Sequence, residues 1–385
     1  MNLNTITHTD ALSFLQSLPD NCVHCIITSP PYWNLRDYGV DGQLGLEPTL
    51  TEYLDNLTSI FTEARRVLRE DGVMWLNMGD GYAATTKGNN NGTGASTLNN
   101  GAGGGAADKA VNTPPRKVEL AGLKPKDLIG QPWRLAFRLQ DDGWWLRSDI
   151  IWFKPNPLPE SVTDRPTKSH EYVFLMTKSA RYWYDAYAIR EAMVKGDSNS
   201  GAKNYRITEN GTSRKHVGQS RIDNPAGRNK RTVWRVATAA MKAAHFATFP
   251  PALIRPMVLA GCPPKVCVEC GKPWERVVEP TEEYKQQLGK GWNDHENRLR
   301  VGHIKRGKQL TAAYISTGFQ PTCGHDAPTE PGIVLDMFMG AGTTALVATQ
   351  HGRRWLGCEL NADYIDIAND RLSVVQVNMF TSEGL

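Results

Sequence analysis

Apolar positions along the chain fall into two alternating patterns: short, nearly unbroken runs, and longer stretches in which they recur every three or four residues. The runs are Val23–Thr28, Val73–Asn77, Ile150–Phe153, Tyr172–Met176, Ile333–Asp336 and Trp355–Cys358. Each has the length of a buried strand. Between the first two, Leu54, Leu57, Phe61, Ala64 and Leu68 follow helical spacing, and Thr49 with Glu52 makes a capping box ahead of them. Gly72 is expected to end that helix and lead straight into a strand. A second helix is expected over Leu128–Gln140, with Gly143 before the next strand. This alternation predicts a doubly wound α/β sheet.

Three segments interrupt the rhythm. Residues 81–117 are rich in Gly, Asn and Ala and read as a flexible loop. Residues 191–240 are polar and basic with little periodicity, and residues 262–328 carry four of the seven cysteines. They read as insertions into one core, whose pieces are residues 1–80, 118–190, 241–261 and 329–385. A chain of 385 residues suits one large α/β domain with accessory segments.

Composition adds less. The formal charge of +4 is small, but Lys195–Arg235 holds ten Lys and Arg against Asp197, Glu209 and Asp223. Such a stretch is a solvated loop or a phosphate-contacting footprint. The odd number of cysteines argues against a secreted disulfide framework. No apolar run reaches membrane-spanning length, and the first residues lack the pattern of a secretory signal, so a cytoplasmic location is expected.

Two motifs carry chemistry. In Ile333–Thr344 an apolar strand feeds the glycine turn Met339-Gly340-Ala341-Gly342 and then a helix, and Glu359 ends the next apolar strand. Glycines let a backbone approach a ligand closely, and an acidic residue at that distance can bind ribose hydroxyls. The loop alone equally serves a dinucleotide or a tight structural turn. The second motif is Thr28-Ser29-Pro30-Pro31-Tyr32-Trp33, at the end of a strand. Consecutive prolines stiffen the backbone, so the Pro30 carbonyl and the Ser29 hydroxyl become fixed acceptors beside the Tyr32 ring. That set suits a planar substrate bearing an amino group; the alternative is a proline turn with a core aromatic.

Together, TSPPYW and FMGAGTT resemble the motifs of the amino-group DNA methyltransferases, in the permuted order called the β group. Asp10 resembles the acidic residue that contacts the cofactor adenine. His245–Pro250 resembles the segment around the methionine end of the cofactor, and Asp149–Asp185 the region between catalytic and recognition parts. Met337 departs from the proline common in the family's cofactor motif.

The resemblance implies a circularly permuted, Rossmann-like methyltransferase sheet. It implies transfer of a methyl group from S-adenosylmethionine to the exocyclic amine of a flipped base in double-stranded DNA, with no covalent enzyme intermediate. Ser29, Pro30, Pro31 and Tyr32 would form the catalytic pocket, and Trp33 either widens its wall or joins the core. Asp10, Phe249, Pro250, Asp336, Phe338, Gly340, Gly342, Thr343, Thr344 and Glu359 would hold the cofactor. Arg228, Lys230 and Arg231, in the target-recognition stretch 191–240, would contact DNA. A bacterial or phage origin follows; a partner restriction nuclease and a homodimer are compatible with it, though no apolar stripe compels the dimer.

Serine at the first position of the catalytic motif leans the reading to cytosine N4, with adenine N6 as the alternative. No Pro-Cys dipeptide occurs, which sets aside attack at cytosine carbon-5. An RNA or protein amide methyltransferase, or a non-enzymatic DNA-binding relative, remains a competing reading. Finally, Cys267-x-x-Cys270-Gly271 has the form of a zinc knuckle, and Cys323 and His325 can complete a structural Cys₃His site, with Cys262 as a spare. The alternative is incidental cysteines in a reducing compartment.

Overall fold

Strand β2 (Val23–Thr28) is buried along its whole length and pairs in parallel with β3 (Leu68–Met78). Side chains alternate between the faces of a strand. On β3, Met74, Leu76 and Met78 join the core formed with α1 (Ala11–Gln16), α2 (Leu50–Val67) and α3 (Gln131–Asp141). Val73 and Trp75 point the other way, onto α4 (Pro251–Gly261), where Gly261 leaves the room they occupy. A sheet covered on both faces explains why its strands read as unbroken apolar runs.

The computed structural model describes residues 1–83, 122–192, 205–207, 213–215, 227–238, 249–282, 285 and 314–382. Most of the expected loop 81–117, most of the basic stretch and His245–Thr248 therefore lie outside the described residues. The chain divides into two compact units, residues 1–184, 231–273 and 327–385, and residues 185–230 and 274–326.

The first unit is built on an eight-stranded sheet. Its remaining strands are β1 (Ile6–His8), β4 (Trp145–Phe153), β5 (His170–Thr177), β8 (Val233–Arg235), β13 (Ile333–Asp336) and β14 (Arg354–Glu359). The order is β1-β14-β13-β2-β3-β5-β4-β8, with β5 antiparallel to both neighbours and every other pairing parallel. Helix α4 also packs on α5 (Thr343–Gln350), which in turn meets α6 (Ala362–Ser382). A short two-stranded pairing joins β9 (Val266–Cys267) to β12 (Thr329–Glu330). In the second unit, β6 (Tyr205–Ile207) pairs with β7 (Ser213–Lys215) and β10 (Glu275–Pro280) with β11 (Tyr314–Gln320), both antiparallel. Arg276 of β10 is ion-paired with the buried Asp185 at 2.7 Å.

Helix α2 starts as its sequence predicts, with the Thr49 side chain accepting from Glu52 N at 3.1 Å. Its end differs from expectation. Leu68 is already extended, and Gly72 lies inside β3. The pairing jumps from Val23↔Leu68 to Cys25↔Val73, so the strand bulges there. A Cβ on Gly72 would lie 2.5 Å from Leu68 Cδ1, so the glycine serves this crowding and does not stop the helix. Helix α3 begins at Gln131, later than expected, because Gly130 takes a left-handed conformation (φ 72°) and Asp80 accepts from the Gly130 and Gln131 amides. Among the described residues no helix is long and apolar enough to cross a membrane.

Candidate active site

In a mostly parallel sheet the strand ends that share a direction line one edge, and loops leaving that edge enclose a crevice. Here β1, β14, β13, β2, β3 and β4 all finish there, and antiparallel β5 starts there. The edge therefore brings together Asp10 after β1, Glu359 on β14, the glycine loop after β13 and the Ser-Pro-Pro-Tyr motif after β2. It also brings Lys154 after β4 and Glu171 at the start of β5.

Asp336 organises the glycine loop from beneath. It is fully buried and accepts from Thr28 Oγ1 at 2.7 Å, Thr344 Oγ1 at 2.7 Å and Phe338 N at 3.1 Å. Burial pushes its carboxyl up to about 6, although these hydrogen bonds oppose the shift. Both of its oxygens are engaged inside the protein and tie the loop to β2 and to the start of α5. Thr343 and Thr344 are likewise buried, at the start of α5.

The two glycines serve different needs. Gly342 caps α5 at φ 73°, and a Cβ there would lie 2.8 Å from Ala368 Cβ on α6, so a side chain would strike that helix. Gly340 has φ 51° and nothing within 4 Å of where a Cβ would stand, so the loop is open on that side. Glu359 accepts from Gly340 N at 2.7 Å and from Asn361 N at 2.9 Å. An ionised carboxylate keeps further lone pairs for a ligand hydroxyl. Asp10 caps α1 by accepting from Ser13 N at 2.9 Å, two residues beyond His8, which is paired with Glu359 across β1 and β14. Phe338 is half-buried, as is Phe249, and Pro250 is buried where α4 begins. An open glycine turn, a helix N-terminus and an acidic strand end form a cradle that fits a nucleoside-bearing cofactor.

The acceptor motif is braced from outside its own segment. Tyr53 Oη donates to Pro31 O at 2.7 Å. Trp33 is a core residue, with its indole donating to Glu47 O at 3.0 Å. Ser29, Pro31 and Tyr32 are half-buried and Pro30 is buried. Tyr32 Oη donates to Glu171 Oε2 at 2.9 Å and lies 3.4 Å from Ser29 Oγ. Glu171 also accepts from Asn77 Nδ2 at 3.2 Å and is ion-paired with Lys154. A Cβ on Gly79 would lie 2.7 Å from Tyr32 Cε2, so that glycine makes room for the ring. Sequence reasoning placed Lys154 and Glu171 in a family-like region without giving them a role. The available signal was a charged residue next to apolar strand sequence on either side of the β4–β5 hairpin.

Comparison with known proteins decides the family. The sequence matches the N6/N4 methyltransferase family, described as DNA methylase, over residues 23–268 and 325–370. It is 40% identical to the type II methyltransferase M.Cfr9I of Citrobacter freundii, covering 98% of this chain and 91% of that one. For M.XycI of Xanthomonas campestris pv. cyanopsidis the figures are 39%, 96% and 87%, and for M.SmaI of Serratia marcescens 35%, 94% and 88%. Among solved structures, the PvuII DNA methyltransferase (cytosine-N4-specific) is similar with TM-score 0.48 and 16% identity, over 95% of this chain and 87% of that one.

The chain belongs to the N6/N4 DNA methylase family. It is an S-adenosylmethionine-dependent amino-group DNA methyltransferase.

Two further sets of predicted methylase residues are described. Arg228 and Lys230 share one carboxylate, Glu191, at 3.4 and 3.3 Å, and all three side chains are largely buried. Arg231 is exposed, and its carbonyl accepts from Trp234 Nε1 at 2.7 Å. In the candidate knuckle, Gly271 has φ 66° and its amide donates to Cys267 O at 2.8 Å, folding Cys267–Gly271 into a tight turn. Val268 N donates to Pro328 O, at the end of the segment that carries Cys323 and His325. Cys267 and Cys270 lie in the first compact unit, and Cys323 and His325 in the second. Cys262 is buried at the end of α4, where burial pushes its thiol up to about 12.

Proposed function

We propose that this methylase acts on the N4 amine of cytosine, with Ser29, Pro30, Pro31 and Tyr32 as the acceptor pocket for a flipped base. The observation that carries the pairing of acceptor pocket and cofactor loop is the hydrogen bond between Thr28 and Asp336 at 2.7 Å, which holds the two motifs side by side, while Ser29 at the head of the motif supports cytosine. When bound, S-adenosylmethionine supplies an electrophilic methyl group. Asp10, Phe249, Pro250, Phe338, Gly340 and Glu359 hold the cofactor, while Asp336, Gly342, Thr343 and Thr344 shape the loop. The late position of the cofactor motif supports the permuted order of the β group.

The amine of cytosine is a poor nucleophile because its lone pair is delocalised into the ring. Acceptors at Ser29 Oγ and the Pro30 carbonyl draw its protons out of the ring plane and stabilise the positive charge that develops. Tyr32 receives the base once it leaves the stack. Serine at the first position of the catalytic motif supports cytosine as the base.

Residues 191–240 supply target recognition, with Arg231 better disposed than Arg228 or Lys230 to reach a phosphate. Cys267, Cys270, Cys323 and His325 would hold a structural zinc ion. The Cys-x-x-Cys-Gly turn with Cys323 and His325 offers three soft donors and one borderline donor, the number a tetrahedral site takes, and the metal would supply folding energy away from the chemistry.

The test offers labelled S-adenosylmethionine with DNA, RNA and a protein mixture in parallel. DNA should take up the label, and Ser29→Ala should abolish most of that uptake while cofactor binding holds. Label on RNA or protein alone, or an unchanged Ser29→Ala rate, would overturn the proposal.

A further inference from the structure

We infer that Lys154 and Glu171 form a positioning relay that acts through Tyr32 to turn the Ser29 hydroxyl into an acceptor facing the substrate amine. The inference rests on the reading that Ser29 accepts from that amine and adds how its direction is set.

A serine hydroxyl has one proton and can point it anywhere, so by itself it is as ready to donate as to accept. Towards an amine that must give up hydrogen bonds, a donating serine is the wrong partner. Something has to take the serine proton. The nearest candidate is Tyr32 Oη, at 3.4 Å from Ser29 Oγ. Hydrogen bonds at catalytic groups are commonly long before substrate is seated and tighten in the complex. A phenol can accept from serine only if its own proton is directed elsewhere.

Glu171 directs it elsewhere. An ionised carboxylate only accepts, and Tyr32 Oη donates to Glu171 Oε2 at 2.9 Å. The same oxygen accepts from Asn77 Nδ2 at 3.2 Å, and the other is ion-paired with Lys154. Burial alone would push the Glu171 carboxyl up, but Lys154, Tyr32 and Asn77 hold it below its ordinary value. Burial and the neighbouring carboxylate push the Tyr32 phenol well up, so it keeps its proton. Every link then has one direction. Lys154 and Tyr32 donate to Glu171, Ser29 donates to Tyr32, and the Ser29 lone pairs remain for the base. The sheet supplies the geometry, since Met78 of β3 lies opposite Tyr172 of β5 and Phe153 of β4 opposite His170.

Steady-state kinetics on duplex DNA, with cofactor affinity measured separately, test the relay. Tyr32→Phe keeps the stacking ring and removes only the oxygen. It should lower kcat roughly 10- to 100-fold, the range for losing a hydrogen bond to a charged group, with KM for DNA and cofactor affinity retained. Glu171→Gln should lower kcat similarly, and the double variant should be no slower than Tyr32→Phe alone. Lys154→Arg should keep the rate and Lys154→Met should lose it. Retained kcat in Glu171→Gln or Tyr32→Phe, or effects that multiply in the double variant, would overturn the relay. If Glu171→Gln does not fold, the Tyr32→Phe and Ser29→Ala pair decides: non-additive losses support the relay and multiplying losses refute it. Ser29→Ala separates the two levels. A lost rate there with unaffected Tyr32→Phe and Glu171→Gln refutes the relay alone, whereas a retained rate refutes the acceptor role of Ser29.

Discussion

Thr28 Oγ1 donates to Asp336 Oδ1 at 2.7 Å between two fully buried side chains at the ends of neighbouring parallel strands. One residue beyond Thr28 the acceptor motif begins, and two residues beyond Asp336 the loop that leads to the glycines begins. A bond of this kind sets the spacing between the place where the base would sit and the place where the cofactor would sit. Thr344 completes it by bonding the other carboxylate oxygen at 2.7 Å from the first turn of α5.

Thr28→Val should therefore affect both halves of the site. It removes the donor while keeping the shape, leaving a buried carboxylate oxygen short of one partner. The expected cost is about 1–3 kcal/mol of folding stability together with weaker cofactor binding. Denaturant unfolding and cofactor titration check this. Unchanged cofactor affinity would remove the link between the strands.

Asp336 also gives stability a pH signature. Its folded value is raised by burial to about 6 from an ordinary 3.8. Between those values the folded chain holds a proton that the unfolded chain has released. The contribution is thus fully present below the unfolded value and is lost as pH rises through the folded one. Wild type should lose stability relative to Asp336→Asn from about pH 4 to about pH 6. His24, pushed down to about 4 by burial, titrates in both proteins and cancels in the comparison. A flat difference across that range would contradict the burial-driven shift.

The basic residues differ in exposure. The side chains of Arg228 and Lys230 are 19% and 20% exposed beside Glu191, whereas Arg231 is an exposed residue. Arg231→Ala should lower the slope of log binding constant against log salt by about 0.9, one phosphate contact. Arg228→Ala or Lys230→Ala should change it less. Equal slopes for all three would place the phosphate contacts elsewhere.

Purified protein should carry about one zinc ion per chain. Cys267→Ser/Cys270→Ser should lose the metal and be less stable to heat, while cofactor binding survives. Protein that is metal-free yet as stable as the metal-loaded form would refute the knuckle.

Much of this was legible in the chain. Strands β2 and β13 read correctly because both their faces are covered, leaving an unbroken apolar run. Thr49 and Glu52 marked the start of α2 through a local bond that needs no tertiary knowledge. Gly72 misled because a glycine after a helical pattern ordinarily signals a stop, and only the pairing of β3 with β2 reveals a bulge. Asp336 was legible as part of the cofactor motif, but its partners Thr28 and Thr344 come together only in the folded sheet. Lys154 and Glu171 escaped for the same reason, since their meeting depends on the register of β4, β5 and β3.

The most direct measurement is nucleoside analysis of duplex DNA after incubation with the purified methylase and S-adenosylmethionine. Digestion to single nucleosides and mass detection against standards separates the three methylated forms. N4-methylcytosine is the predicted product, mostly lost when Ser29→Ala replaces the wild type. N6-methyladenine alone would contradict the assignment of the base, and 5-methylcytosine would contradict the site itself.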